Sequence, residues 1–206
     1  LLEKRICRVP YDHTKPVDTF WDLGKADMTS IWFAQRIGFE WRLIRYLQNR
    51  GKDLPFYLQE LQKIGYVYGT DFLPHDAKQN RMGMRLSIEA QMRAKGRKVF
   101  VLSRAPIAAG INLVREVFPN CWFDEEHCAD GLQALRHYKY SIDPTTKLFS
   151  NEPEHDEYSH GADAFRYFAA ATTKPRKEGK IRVGAAERVK RFFEREDVRA
   201  GESWME

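Results

Sequence analysis

The chain has 206 residues, 43% of them hydrophobic, and a formal charge of +5 from 34 basic and 29 acidic side chains. With 13 Phe, 9 Tyr and 5 Trp it has the apolar area for one sizeable core, which excludes a disordered chain. No apolar run approaches the roughly 20 residues of a membrane span and no signal-peptide pattern opens the sequence, so an intracellular soluble protein without membrane contact is expected.

Val17 to Trp21 reads as a short apolar strand that stops at Asp22, and Gly24 and Asp27 suit the turn after it. Thr29 to Arg36 alternates apolar and polar, Gly38 separates it from Glu40 to Leu47, and the three runs predict a meander closed by Asn49-Arg50-Gly51. Leu54 to Ile64 has helical spacing and Gly65 ends it. Tyr66 to Leu73 predicts a fourth strand with Pro74-His75-Asp76 just past its end, so Asp76, like Asp22, is placed at a strand terminus. Met84 to Ala94 predicts a helix, Lys98 to Leu102 a fully buried strand, and Ile107 to Phe118 a helix opened by Ala105-Pro106. Such alternation predicts a parallel extension of the sheet, because parallel neighbours need a crossover. The expected fold class is α/β: a mixed central sheet, an antiparallel meander extended by parallel strands, with helices on both faces.

Trp122 and Phe123 suggest a further short strand, Gly131 to Tyr140 a helix, and Asp143 to Thr146 a turn, with Lys147 to Phe149 ambiguous. Tyr158 to Thr172 is the clearest helix, since Tyr158, Ala162, Phe165 and Ala169 recur at core-facing spacing. On its other side Asp156, His160 and Asp163 share one face if the helix begins by Asp156. From Lys174 to Arg199 ten Lys or Arg residues stand against five acids, with a short basic helix predicted over Val183 to Val198. The expected organisation is a core over 1–173 and a basic appendage over 174–206.

The charges are unevenly placed. Eight Lys or Arg between Pro74 and Arg104 stand against Asp76 and Glu89, which suits a surface facing phosphate, while acids gather at Asp124 to Glu126 and at Glu152, Glu154, Asp156 and Glu157. Either run alone is more commonly a solvated face. Cys7, Cys121 and Cys128 are too few and too scattered for a disulfide framework, and Cys121, His127, Cys128 and His137 match no zinc spacing. Asp22, Asp76 and Asp163 are different. Two acids at the ends of adjacent strands and a third on a helix packed across them can meet. Hard divalent cations prefer oxygen, and two of them about 3.5–4 Å apart stabilise both the attacking and the leaving oxygen of phosphodiester hydrolysis. Spacing alone leaves the ordinary alternatives open: Asp22 a turn former, Asp76 a helix N-cap before Ala77, Asp163 a solvated helix residue.

Trp21-Asp22-Leu23-Gly24 with Asp27, Leu73-Pro74-His75-Asp76-Ala77, and the run from His155 to Tyr167 follow one another in a familiar order. Over roughly Val17 to Thr172 the chain resembles the C-terminal nuclease domain of the terminase large subunit of tailed bacteriophages, of the RNase H-like superfamily. The resemblance implies an RNase H-like fold in which Asp22, Asp76 and Asp163 are the catalytic acids and hold two divalent cations, Mg²⁺ or Mn²⁺. The implied activity is endonucleolytic cutting of concatemeric double-stranded DNA with little sequence specificity. His160 is placed to coordinate a metal, to position water or to hydrogen-bond Asp163, with support of Asp163 ranked first. Asp156 and Glu157 are either extra ligands or surface acids, Asp27 closes the hairpin or touches a metal, and Asp71 rivals Asp76 from inside a strand. Lys25, Lys78, Arg81 and Arg85 are candidates to guide the DNA backbone, or ordinary surface charges.

Implied partners are double-stranded DNA, the portal protein, the small terminase subunit and an N-terminal ATPase domain, because this chain has no GxxxxGK[ST] phosphate loop. The implied setting is the host cytoplasm during phage assembly. Two alternatives use the same residues differently: another RNase H-like nuclease of junction-resolvase or transposase type, and a non-catalytic module that binds DNA or the portal through the tail from Lys174.

Overall fold

The computed structural model of the chain describes residues 3–24, 27–79, 86–142 and 147–173. A two-residue strand, β1 (Ile6–Cys7), precedes β2 (Val17–Asp22), β3 (Met28–Ile37) and β4 (Glu40–Arg50). Helix α1 (Leu54–Ile64), β5 (Tyr68–Leu73), a 3₁₀ turn over His75–Lys78, α2 (Ile88–Ala94) and β6 (Lys98–Val101) follow. The chain continues through α3 (Ile107–Val117), β7 (Cys121–Asp124), α4 (Ala129–His137), a hairpin of β8 (Tyr140–Ile142) and β9 (Phe149–Pro153), and α5 (Ser159–Thr173). No helix among the described residues is long and apolar enough to cross a membrane.

The main sheet has the order β1-β7-β4-β3-β2-β5-β6. β2, β3 and β4 form the antiparallel meander; β5 runs parallel to β2, β6 to β5, and β7 to both β4 and β1. This is the mixed sheet expected of the sequence. Strand side chains alternate faces, and here the alternation sorts the core in two. Phe20, Trp32 and Leu43 pack with Leu132 of α4 and with Phe165 and Phe168 of α5. Their neighbours Trp21, Ile31, Phe33 and Ile44 turn the other way, onto Tyr57 and Leu61 of α1 and Met92 of α2. Asp22 lies two residues beyond Phe20 and therefore looks toward α5.

Local chemistry fixes several boundaries. Asp53 caps α1 by accepting from the Phe56 N–H, and Gly65 ends it at φ 71, a left-handed conformation that glycine adopts without strain. Ser87 caps α2 in the same manner through the Ala90 N–H, which starts that helix at Ile88; the expected residues 84 and 85 lie outside the described ones. Asp156 accepts from the Tyr158 and Ser159 N–H groups at 2.9 and 3.0 Å, so α5 begins at Ser159 and Asp156 is its cap. The expectation that Asp156 shares a helical face with His160 and Asp163 is thereby corrected.

β6 is also corrected. It is a sheet edge with Val99 buried and Lys98 and Phe100 exposed, since among the described residues only β5 flanks it. The expected turn at 143–146, the helix over Val183 to Val198 and the appendage over 174–206 fall outside the described residues.

Candidate metal centre

Parallel pairing brings the first two acids to the same end of two adjacent strands. β2 and β5 are neighbours running the same way; Asp22 is the last residue of β2, and Asp76 sits in the 3₁₀ turn three residues beyond Leu73, the end of β5. α5 brings the third. Its first turn is pinned to β3 by the Trp32 indole N–H, which donates to the Gly161 carbonyl at 2.9 Å. A Cβ at Gly161 would stand 2.6 Å from both the Tyr46 hydroxyl and the Ala134 Cβ, so only glycine lets the helix start this close to the sheet. The result places His160 and Asp163 over the end of β2.

His160 is buried, and both of its ring nitrogens are engaged: Nδ1 lies 3.0 Å from Asp22 Oδ2 and Nε2 lies 3.1 Å from Asp27 Oδ2. The histidine therefore supports Asp22 rather than Asp163. Asp163 is held instead by Arg166, whose Nε and terminal nitrogen donate to Oδ1 at 3.2 and 3.0 Å, with the Tyr138 hydroxyl at 3.5 Å. Arg166 is itself buried against α3, where Gly110 leaves it room; a Cβ there would lie 2.5 Å from the arginine Cδ.

The electrostatics tie these groups together. Burial pushes the Asp22 carboxyl above its ordinary range, the His160 hydrogen bond opposes that, and the charge of Asp163 adds to it. The Asp22 hydrogen bond raises His160, against the effect of burial. Tyr167, one turn beyond Asp163 on α5, is pushed up to about 12, first by burial and then by the charges of Asp22, Asp163 and Asp76, with Arg166 opposing. One phenol thus feels all three acids.

Asp27 ties the start of β3 to the end of β4. Its Oδ1 accepts from the Met28 N–H at 2.9 Å and from Arg50 at 3.1 Å, across the β3–β4 register that pairs Met28 with Arg50. The Arg50 hydrogen bond, followed by that of Met28, holds its carboxyl down to about 2. Its Oδ2 faces His160 and also His155, whose Nε2 is 3.7 Å away.

Other candidates separate cleanly. Asp71 is buried, gripped by both Arg97 donors and by the Thr19 hydroxyl, and is a structural ion pair. Asp156 spends one carboxylate oxygen on capping α5, and Glu157 is exposed. Lys78 is exposed on the same turn as Asp76, while Lys25, Arg81 and Arg85 lie outside the described residues. Cys121 and Cys128 are buried thiols that donate to the Val117 and Leu43 carbonyls, and burial pushes Cys121 up to about 12. Reasoning from sequence missed Tyr167, Arg166, Tyr138 and His155. Tyr167 and Arg166 were findable, since they stand four and three residues beyond Asp163 on the same helix; Tyr138 carried no such signal.

A mixed sheet of this order, an antiparallel meander extended by parallel strands with helices on both faces, is an RNase H-like fold. Within that class the chain shares the fold of phage large-terminase nuclease domains. It superposes on the large terminase of a thermophilic bacteriophage, solved in complex with ADP, with a TM-score of 0.66 at 17% identity, covering 84% of this chain and 43% of the other. The nuclease domain of the bacteriophage P22 large terminase gives 0.59 at 14% identity over 82% of this chain and 88% of that one. That of bacteriophage SPP1, solved with bound Mn, gives 0.55 at 15% identity over 74% and 82%. The chain thus spans less than half the length of the first of these. No protein-family model and no curated protein matches the sequence.

Proposed function

We propose that the chain is a metal-dependent endonuclease domain of a phage DNA-packaging terminase. In this reading Asp22, Asp76 and Asp163 hold two divalent cations, Mg²⁺ or Mn²⁺, and concatemeric double-stranded DNA is cut with little sequence specificity. The observation that supports it most is topological: Asp22 ends β2, Asp76 follows its parallel neighbour β5, and α5 carries Asp163 beside the same strand ends. The donor set fits: it is all oxygen, as hard cations require, and the mutual repulsion of the half-buried Asp22 and Asp163 is relieved when positive charge lies between them.

Among the described residues, the three aspartates are not a group whose donor atoms all lie within 4.8 Å of one another. The Mn-bound SPP1 nuclease domain, which shares the fold, agrees with a divalent metal.

When bound, the cations supply an activated water and neutralise the scissile phosphate. The chain's own residues prepare the site. His160 fixes one oxygen of Asp22, leaving the other for an ion, and Arg166 fixes Oδ1 of Asp163 in the same way. Tyr167 keeps its proton at neutral pH and can donate a hydrogen bond to a phosphate oxygen. Lys78, with Lys25, Arg81 and Arg85, would guide the backbone, a phosphate-directed grip that carries no base information. The portal, the small terminase subunit, an ATPase domain and a role for the tail from Lys174 belong to the same reading.

The test is nicking of supercoiled plasmid in Mg²⁺ or Mn²⁺ by the wild type and by Asp22→Asn, Asp76→Asn and Asp163→Asn. Loss of cutting in all three is expected; undiminished cutting in all three rejects the assignment. Competition among linear duplex, four-way junction and RNA–DNA hybrid separates the terminase reading from a resolvase or RNase H activity.

A further inference from the structure

Asp27, His155 and His160 are the one group among the described residues whose possible ligand atoms all lie within 4.8 Å of one another. We propose that they form a separate site for a single borderline transition-metal ion such as Zn²⁺, Co²⁺ or Mn²⁺, one carboxylate away from the aspartate centre. This goes beyond the nuclease reading and does not depend on it.

Three observations carry it. The first is donor spacing: ligand atoms each about 2.0–2.2 Å from a common ion stand about 3–3.5 Å apart, and His160 Nε2 and His155 Nε2 lie 3.1 and 3.7 Å from Asp27 Oδ2. The second is the division of labour within each side chain. Asp27 commits Oδ1 to Met28 and Arg50 and leaves Oδ2 to the histidines. His160 commits Nδ1 to Asp22, and His155 sets its Nδ1 3.2 Å from the Ser159 hydroxyl, so both rings turn Nε2 inward. A metal-binding histidine whose far nitrogen is fixed by a carboxylate or hydroxyl is the arrangement that orients the ring and strengthens it as a ligand. The third is access, because His155 has 74% of its side chain exposed, giving an ion an open route and leaving further positions for water.

Two imidazoles and one carboxylate select transition metals over Mg²⁺, which prefers an all-oxygen shell. The aspartate triad has the opposite preference. Asp22 joins the two sites: its Oδ2 orients His160, so an ion held by the histidines stiffens the Asp22 carboxylate.

The experiment titrates the full chain with Co²⁺ alone, reading the visible absorption of nitrogen-ligated cobalt. It is run in the wild type, in His155→Ala, in Asp27→Asn and in the double variant Asp76→Asn/Asp163→Asn. Zn²⁺ and Mg²⁺ are then compared by the ¹⁵N resonances of the imidazoles. Expected are one nitrogen-ligated cobalt per chain, a signal that survives in the double variant, a loss of at least about tenfold in the Co²⁺ affinity of that signal in His155→Ala and Asp27→Asn, and shifts of the His155 and His160 Nε2 resonances with Zn²⁺ but not with Mg²⁺. Unchanged affinity in both His155→Ala and Asp27→Asn, or cobalt binding lost in the double variant and kept in the other two, overturns the proposal. Neither result bears on plasmid nicking in Mg²⁺, so the two readings fail separately.

Discussion

Replacing Gly161 by alanine sets two effects of known size against each other. Alanine in a helix gains about 0.5–1 kcal/mol over glycine, and less so near close to the first turn, where Gly161 sits. Against this, the new Cβ meets the Tyr46 hydroxyl and the Ala134 Cβ at 2.6 Å, and neither yields freely. Tyr46 is hydrogen-bonded to Ser30 and Gln48 at 3.0 and 2.8 Å and its ring packs on Trp32, while Ala134 belongs to the body of α4. Overpacking of this kind costs about 1–3 kcal/mol, so the balance favours a net loss of about 1–2 kcal/mol. A domain of this size then loses roughly 2–8 °C in Tm. The helix can relieve the clash only by moving away from β3, which strains the Trp32 bond to Gly161 and carries His160 and Asp163 off the end of β2. Nicking by Gly161→Ala, assayed well below its Tm, is expected to fall further than its folded fraction does. Denaturant unfolding beside the plasmid assay checks both; a variant as stable and as active as wild type refutes the close approach of α5.

Arg166→Met removes the fork on Asp163, and nicking is expected to drop by about 10–100-fold, a size usual for groups that orient metal ligands. Arg166→Lys should not rescue it, because a single ammonium cannot reproduce the two guanidinium donors that converge on Asp163 Oδ1; full rescue contradicts the positioning role. Asp71→Asn breaks a buried pair with Arg97 and is expected to cost about 3 kcal/mol in urea unfolding while leaving nicking intact in the folded fraction, whereas Asp76→Asn does the reverse. His160 is raised above its ordinary 6.5 by Asp22, so its contribution to stability is complete below that value and is lost as pH climbs through the raised one. His160→Gln is therefore expected to destabilise more at pH about 6 than at about 9, with Asp22, Asp27 and His155 facing the ring; an equal loss at both shows that the charged pair contributes nothing.

What the sequence disclosed follows from where periodicity is strong. β2, α1 and α5 lie close to their expected bounds because each has a long apolar pattern and a chemical stop, at Asp22, Gly65 and the Asp156 cap. β1 is two residues long and has no period, and its pairing with β7 depends on a partner more than a hundred residues away. β6 misled because a short apolar run reads as fully buried whether or not a second strand covers it; Phe100 is left on the open edge.

At the site, the aspartates stood out through their motifs, and Asp22 and Asp76 through strand ends that the pairing of β2 with β5 brings together. The partner of His160 was misjudged for a physical reason: spacing along one helix points to Asp163, but the ring reaches across to β2. Asp27 and His155 meet only after the β2–β3 turn and the segment before α5 have been folded onto each other, a contact no local pattern encodes.

In the proposed function three aspartates, from two strand ends and one helix, hold divalent cations. Anomalous diffraction from a crystal soaked in saturating Mn²⁺ tests it most directly. Two peaks are expected among the carboxylates of Asp22, Asp76 and Asp163, each lost when Asp163 is replaced by asparagine. Manganese found elsewhere on the protein, with no peak at these three side chains, contradicts the account.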